Sequence, residues 1–379
     1  MSRTVKEVNN RRMHSYFDYS LLFLVLFLVC FGLVMIYSTS SYTAQKEMLD
    51  PTYYLERQAL FAGAGIMVML FVSKIDYHLI FKNLPLIKIK PVIILYVVCM
   101  FLQVYVLFFG KLINGARRWI SLGSLGRFQP SELSKIAVIL FTAYIVSLAP
   151  KKLDKFSGFL RVLLFIAPLV GLIVIENFST ALIAGVIMVA ICFVTSRRKI
   201  YFIISGILLT GIGSIFVFFV SYRSDRIKIW LNVEGEAKGY QILQGLYAIA
   251  SGGVFGKGLG ESMQKMGFIP EAHNDMIFSV ICEELGLFGA FAVILLFILL
   301  VWRIFIVAIN APDLSGALIA TGVLAHIAVQ VLINIAVVTN TIPSTGIPLP
   351  FISYGGSSVL VLLFEMGIVL SVSNQIKGE

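Results

Sequence analysis

Residues 264–308 read QKMGFIPEAHNDMIFSVICEELGLFGAFAVILLFILLVWRIFIVA, a proline-anchored polar loop that opens at Met276 into an apolar run reaching Ala308. A bilayer core about 30 Å thick is crossed by about 20 helical residues. This run therefore spans a membrane with length left over, and its start stands above the bilayer or tilts. Directly before it, Glu271, His273 and Asp275 fall within five residues. A carboxylate at a membrane–water boundary can keep a shifted pKa and still meet a polar substrate. The plainer reading of the same residues is an interfacial loop ending in a helix N-cap, Asn274 or Asp275.

The rest of the chain repeats the apolar theme. Of 379 residues, 59% are hydrophobic and 13% charged, and the mean hydropathy is +0.93. A soluble domain carries roughly 25% charged residues. The apolar runs are also too long for the alternating segments of about 10 residues that build barrel strands. The chain is predicted to be an all-α integral membrane protein, a polytopic bundle of about ten transmembrane helices. They are expected near 17–38, 57–74, 90–109, 131–149, 159–175, 178–195, 200–221, 276–308, 314–339 and 357–374. One membrane domain, 17–374, lies between an N-terminal tail (1–16) and a C-terminal tail (375–379). The first run is too long for a signal-peptide core and reads as an uncleaved anchor. Cys30, Cys99, Cys192 and Cys282 sit in apolar runs without metal spacing, so no disulfide is expected. No internal repeat marks the inverted halves of a transporter.

Loop charge sets the expected orientation. Arg3, Lys6, Arg11 and Arg12 precede the first run; Lys74, Lys82, Lys88 and Lys90 follow the second; Lys151, Lys152 and Lys155 follow the fourth; Arg197, Arg198 and Lys199 follow the sixth. These loops and both termini belong in the cytoplasm. Two outer segments break the rule, 110–130 with Lys111, Arg117, Arg118 and Arg127, and the long loop 222–275 with six further cations. Positive charge held outside suits an anionic ligand, although long loops translocate regardless of charge. The net charge of +10 needs no nucleic-acid partner.

Several stretches carry candidate chemistry. Arg117, Arg118 and Trp119 suit phosphate and a sugar or lipid face; the plainer alternative is an aromatic belt residue with snorkelling arginines. Pro130-Ser131-Glu132 reads as a helix start, with Glu132 as a cap. His326, Gln330 and Asn334, at i, i+4 and i+8, share one helix face, either lining a polar cavity or bonding between helices. Glu365 lies mid-membrane, where it is either neutral or paired with a residue the sequence does not name. Ser251–Gly260 lacks the spacing of an ATP phosphate loop, and its glycines read as close backbone packing. The segment 345–358, TGIPLPFISYGGSS, is an irregular outer loop that must be covered by protein or line a cavity.

Together, Asn114–Ile120 with Gln129–Glu132, Gly239–Gln241, Ser251–Gly260, Pro270–Phe278, Glu283–Gly286, Gln330 with Asn334, and Gly346–Ser358 resemble the SEDS family of bacterial shape, elongation, division and sporulation proteins. PEAHND and the RRWI loop are most similar to division-type members. The resemblance implies a ten-helix peptidoglycan glycosyltransferase that polymerises lipid II at the outer face of the cytoplasmic membrane. It also implies partnership with a class B penicillin-binding protein and other divisome proteins at the septum. The essential acidic position of the family falls on Asp275, and its RRW loop on Arg117, Arg118 and Trp119. On that basis the expected substrate-binding set is Arg117, Arg118, Trp119, Lys135, Glu271, His273, Gln330, Asn334, Ser353 and Tyr354. A divalent cation, Mg or Mn, is an open expectation for the diphosphate. Two positions depart from the family: Thr345 stands where some division-type members carry lysine, and Glu176-Asn177 replaces the common Pro-Asp pair. The sequence also admits two rival functions, a lipid II flippase using the polar face of His326, Gln330 and Asn334 with buried Glu365, and a non-catalytic scaffold that activates the penicillin-binding partner.

Overall fold

The computed structural model describes residues 17–376 apart from 86–87, 114–115, 122, 124–125, 205, 207–220 and 236–238. In chain order it contains α1 (Tyr19–Met48), α2 (Tyr53–Val72), α3 (Pro91–Phe109), strands β1 (Lys111–Ile113), β2 (Ala116–Ser121) and β3 (Arg127–Phe128), and α4 (Pro130–Leu148). Then follow α5 (Phe156–Glu176), α6 (Phe178–Thr195), α7 (Ser221–Leu231), α8 (Tyr240–Gly252), α9 (Ile277–Ile309), α10 (Leu314–Val338) and α11 (Gly356–Asn374). Among the described residues, nine of these helices are long and apolar enough to cross a membrane. About two thirds of the seventh predicted run, 200–221, falls outside the described residues, and the N-terminal tail and residues 377–379 lie outside them entirely.

Local chemistry sets the helix starts. Pro91 and Pro130 occupy the first turns of α3 and α4, where a missing N–H is harmless. Asp18 caps α1 by accepting from the Leu21 N–H at 2.9 Å, and Arg303 of α9 pairs with its other oxygen at 2.8 Å. Asn177 accepts from the Ser179 and Thr180 amides, turning the chain from α5 into α6 within one residue. Helix α1 runs ten residues beyond the predicted end at 38, because nothing breaks it until Leu49 adopts a left-handed conformation just before Asp50-Pro51. The expected open loops hold structure of their own. Strands β1, β2 and β3 pair as a three-stranded antiparallel sheet with Lys111 opposite Trp119. The 222–275 loop contains α7 and α8, which are too short to register as spans.

Helices α4, α10 and α11 form the interior, whereas α2, α3 and α5 turn most of their surface outward. Helix α11 lies along α2 so closely that a Cβ on Gly367 would sit 2.9 Å from the Met69 carbonyl oxygen. Small residues at such crossings let backbones approach where no hydrophobic force drives helices together in lipid. Helix α9 is two helices joined at Gly286 (φ 69°). The Gly-rich loop after α8 packs against this break: Lys257 and Gly258 donate their amides to the carbonyls of Glu283 and Glu284, both at 2.9 Å. The side chains follow, with Lys257 on Glu283 at 2.6 Å and Lys265 on Glu284 at 2.8 Å. The close-packing reading of 251–260 is thus the one the fold uses.

Gly286→Val forces a β-branched residue to positive φ and sets its Cβ 2.4 Å from the Gly256 nitrogen. The expected result is a loss of about 3 kcal/mol or more of stability. It is read as a lower thermal midpoint of the detergent-purified protein and faster proteolysis within residues 253–265.

Candidate active site on the Pro270–Met276 loop

Asp275 is the penultimate residue before α9 and is half-buried. Its backbone is held from α10: the Asn334 side-chain amide donates to the carbonyls of Asp275 and Ile347, both at 2.8 Å. One turn earlier, Gln330 donates to the Pro348 carbonyl at 3.0 Å. The loop is closed from the other side by the Tyr354 amide, which donates to the His273 carbonyl at 2.9 Å. The two irregular segments on either side of α9 and α11 are therefore hung from a single helix face. Burial pushes the Asp275 carboxyl up to about 6, with Glu271 adding in the same direction; a backbone hydrogen bond and Arg226 pull the other way. A carboxyl poised there is ionised at neutral pH and still basic enough to take a proton.

The neighbouring side chains from the expected substrate-binding set are placed as follows. His273 is buried, 4.4 Å from the Tyr54 ring and 5.5 Å from Tyr354, and burial pushes it down to about 4, leaving it neutral. Glu271 is exposed at positive φ and accepts from Asn274 at 2.8 Å. The Ser353 hydroxyl accepts from the Leu349 amide at 2.8 Å, closing the turn 349–353. Arg117 donates to the Phe108 carbonyl at 2.6 Å and Arg118 to the Glu176 carbonyl at 2.7 Å. Each thus caps a helix C-terminus, α3 and α5, where orphan carbonyls and the dipole favour a cation. Trp119 stands half-buried beside them in β2.

Three cations outside the quoted motifs act on residues of the site. Arg226 of α7 acts on Asp275 and donates to the Ser344 carbonyl at 2.8 Å. Arg57 and Arg127 both act on the Tyr354 phenol, and Arg57 lies over the Tyr53 ring. Arg127 and Arg226 were visible as outer-loop charge; Arg57 was concealed as the first residue of an apolar run.

Lys135 is 2% exposed and pairs with Glu132 at 3.0 Å, so Glu132 does more than cap α4. Lys135 also donates to the Gln330 oxygen at 3.2 Å, and His326 Nε2 lies 2.8 Å from that same oxygen. An amide oxygen only accepts, so Nε2 carries hydrogen. His326 Nδ1 is 2.7 Å from Glu365 and is the partner of that mid-membrane carboxyl. That short contact needs one proton, carried as imidazolium or as carboxylic acid. With it, Glu132, Lys135, His326 and Glu365 sum to zero charge, the condition under which buried ions are tolerated. These residues are bonded to one another and to loop carbonyls, which is the interhelical reading of the His326/Gln330/Asn334 face. His326→Leu strands Glu365 and is expected to lose about 3–5 kcal/mol. The double variant His326→Leu/Glu365→Leu regains most of it, a coupling measured by thermal unfolding of the single and double variants.

Comparison with known proteins fits this arrangement. The profile of the cell cycle protein family FtsW/RodA/SpoVE matches residues 19–378. The chain is 39% identical to stage V sporulation protein E of Bacillus subtilis, over 94% of this chain and 96% of that one. It is 38% identical to the probable peptidoglycan glycosyltransferase FtsW of Trichlorobacter lovleyi, over 95% and 94%. Among solved structures, it resembles a chain of a peptidoglycan synthase complex studied for coordination of polymerisation and crosslinking, with a TM-score of 0.75 and 27% identity over 94% and 97%. A family profile spanning nearly every residue, together with relatives of this identity and coverage, leads to one conclusion: the chain belongs to the FtsW/RodA/SpoVE family of membrane proteins.

Proposed function

We propose that this chain is a peptidoglycan glycosyltransferase that polymerises lipid II, with Asp275 as the base. The observation that carries the proposal is Asp275 itself, a half-buried carboxyl raised to about 6 and held by its own backbone from α10. Lipid II presents a sugar C1 bonded to a diphosphate–polyprenyl group. In the proposed step the acceptor C4 hydroxyl gives its proton to Asp275, its oxygen forms the new bond to C1 with inversion, and the C1–O bond breaks with the electron pair leaving on the diphosphate. Cations must meet that developing charge. Arg226 is favoured by its action on Asp275, and Arg117 retains donors beyond the one directed at Phe108. Among the described residues no three metal-ligating side chains cluster. Mg or Mn, if bound, would be held chiefly by the diphosphate's own oxygens, hard ligands that suit such ions, and would neutralise charge on the leaving group.

Loop charge supports both termini in the cytoplasm and the Asp275 loop outside. The similarity to a chain of a peptidoglycan synthase complex supports a class B penicillin-binding protein as partner. Similarity to proteins named FtsW supports a place among divisome proteins at the septum.

The test is labelled lipid II incubated with purified protein, alone and with its cognate transpeptidase. Long glycan from wild type and none from a folded Asp275→Asn variant is expected. Glycan from that variant removes Asp275 from the chemistry. No glycan from wild type under either condition, with head-group scrambling in liposomes, favours the flippase reading, and no scrambling favours the scaffold.

Two pH results follow from the raised carboxyl. The base is the ionised form, so kcat/KM rises about tenfold per pH unit below 6 and levels off above it. A folded pKa above the unfolded 3.8 means the contribution to stability is full below the unfolded value and is lost as pH rises through about 6. Asp275→Asn, which never ionises, is therefore expected to unfold at the same or higher temperature than wild type at pH 7.5. A steep activity loss beside unchanged or greater stability separates this role from a structural one.

A further inference from the structure

Far along the chain from the Asp275 loop, α3, α4, α5 and the turn Pro150–Asp154 enclose a groove of about 430 Å³. Its walls include Ile93, Ile145, Val162 and Phe165, and its floor is stiffened by Phe141, stacked 4.2 Å from Tyr96. A second depression of about 410 Å³ continues it along α5 over Leu160 and Leu164, and Arg161 and Phe165 line both. Lys152 reaches the same groove because the Pro150–Asp154 turn abuts the first turn of α5, where a Cβ on Gly158 would collide with the Lys152 carbonyl.

The charge at this end is one-sided. Arg161 is exposed and sits about 8 Å along an otherwise apolar helix start. A guanidinium this near a helix end reaches the interface at the rim of the groove, where it suits an anionic head group. Among the described residues, neither Arg161 nor Lys152 joins an ion pair. Lys151 and Lys155 are close in sequence, and Lys90 is committed to the Tyr144 hydroxyl at 2.9 Å. The nearby acid, Asp154, accepts the Arg197 amide at 2.8 Å. An elongated apolar groove under two uncompensated cations has the shape and charge of one class of membrane component.

We propose that this groove is a specific site for one anionic glycerophospholipid, its acyl chains along α5 and its phosphodiester at Arg161 and Lys152. Under the orientation set by loop charge, the lipid comes from the cytoplasmic leaflet, where basic pockets between helices hold acidic head groups.

The test is native mass spectrometry of the full chain released from mixed micelles of phosphatidylglycerol and phosphatidylcholine with matched acyl chains. Wild type is expected to retain phosphatidylglycerol over phosphatidylcholine on the order of tenfold. Arg161→Gln/Lys152→Gln brings the ratio near one; Lys111→Gln, which removes an exposed charge in β1, leaves it unchanged. Leu164→Trp, which fills the groove, lowers retention of both lipids with the cations intact. A wild-type ratio near one overturns the proposal. So does a ratio that survives the double substitution, or one that falls equally with Lys111→Gln. All four side chains are exposed, so the variants are expected to elute as wild type in size-exclusion chromatography.

Discussion

The structure around Asp275 depends on one side-chain amide. Asn334 is fully buried in α10, and both its hydrogens go to backbone carbonyls of irregular segments, Asp275 before α9 and Ile347 before α11. Irregular backbone at membrane depth is tolerated only where its polar groups are satisfied by protein or water. Gln330 does the same one turn away for Pro348. Without these donors neither loop has reason to stay folded against the helix, and the carboxylate loses its fixed place between Glu271 and Arg226.

The same helix joins this loop scaffold to the membrane interior. Gln330 also receives Lys135 and His326, and through them Glu132 and Glu365. Polar groups in such a network are satisfied together or are costly singly, so the network favours one arrangement of α4, α10 and α11. Rigidity there and burial at Asp275 work together. Burial raises the carboxyl toward a useful basicity, and the scaffold tolerates an ionised, partly desolvated group that by itself destabilises the fold.

Much of the fold was legible because membrane helices announce themselves by length and hydropathy. The ends of α5, α6 and α10 fall within three residues of the predicted runs. What escaped was short or polar. The three-stranded sheet was carried by a stretch read for its arginines and tryptophan, although the Asn114-Gly115 dipeptide there is a hairpin signal. Helices α7 and α8 fall below spanning length. In the site, the i, i+4, i+8 spacing did bring His326, Gln330 and Asn334 to one face, and Asp275 does lie beside that face. Partners across the fold were not readable, because spacing within one helix is silent about the helix opposite. Glu365 on His326, Arg226 on Asp275, and Arg117 and Arg118 on helix ends are all of that kind.

Asn334 positions the Asp275 carboxylate through the Asp275 backbone, and the pH profile of polymerisation by Asn334→Ala tests that role most directly. The predicted result is a rate at least tenfold lower, an acid limb moved away from about 6, and a protein that still folds and binds its transpeptidase. An Asn334→Ala protein that polymerises at the wild-type rate with an unmoved acid limb would contradict it.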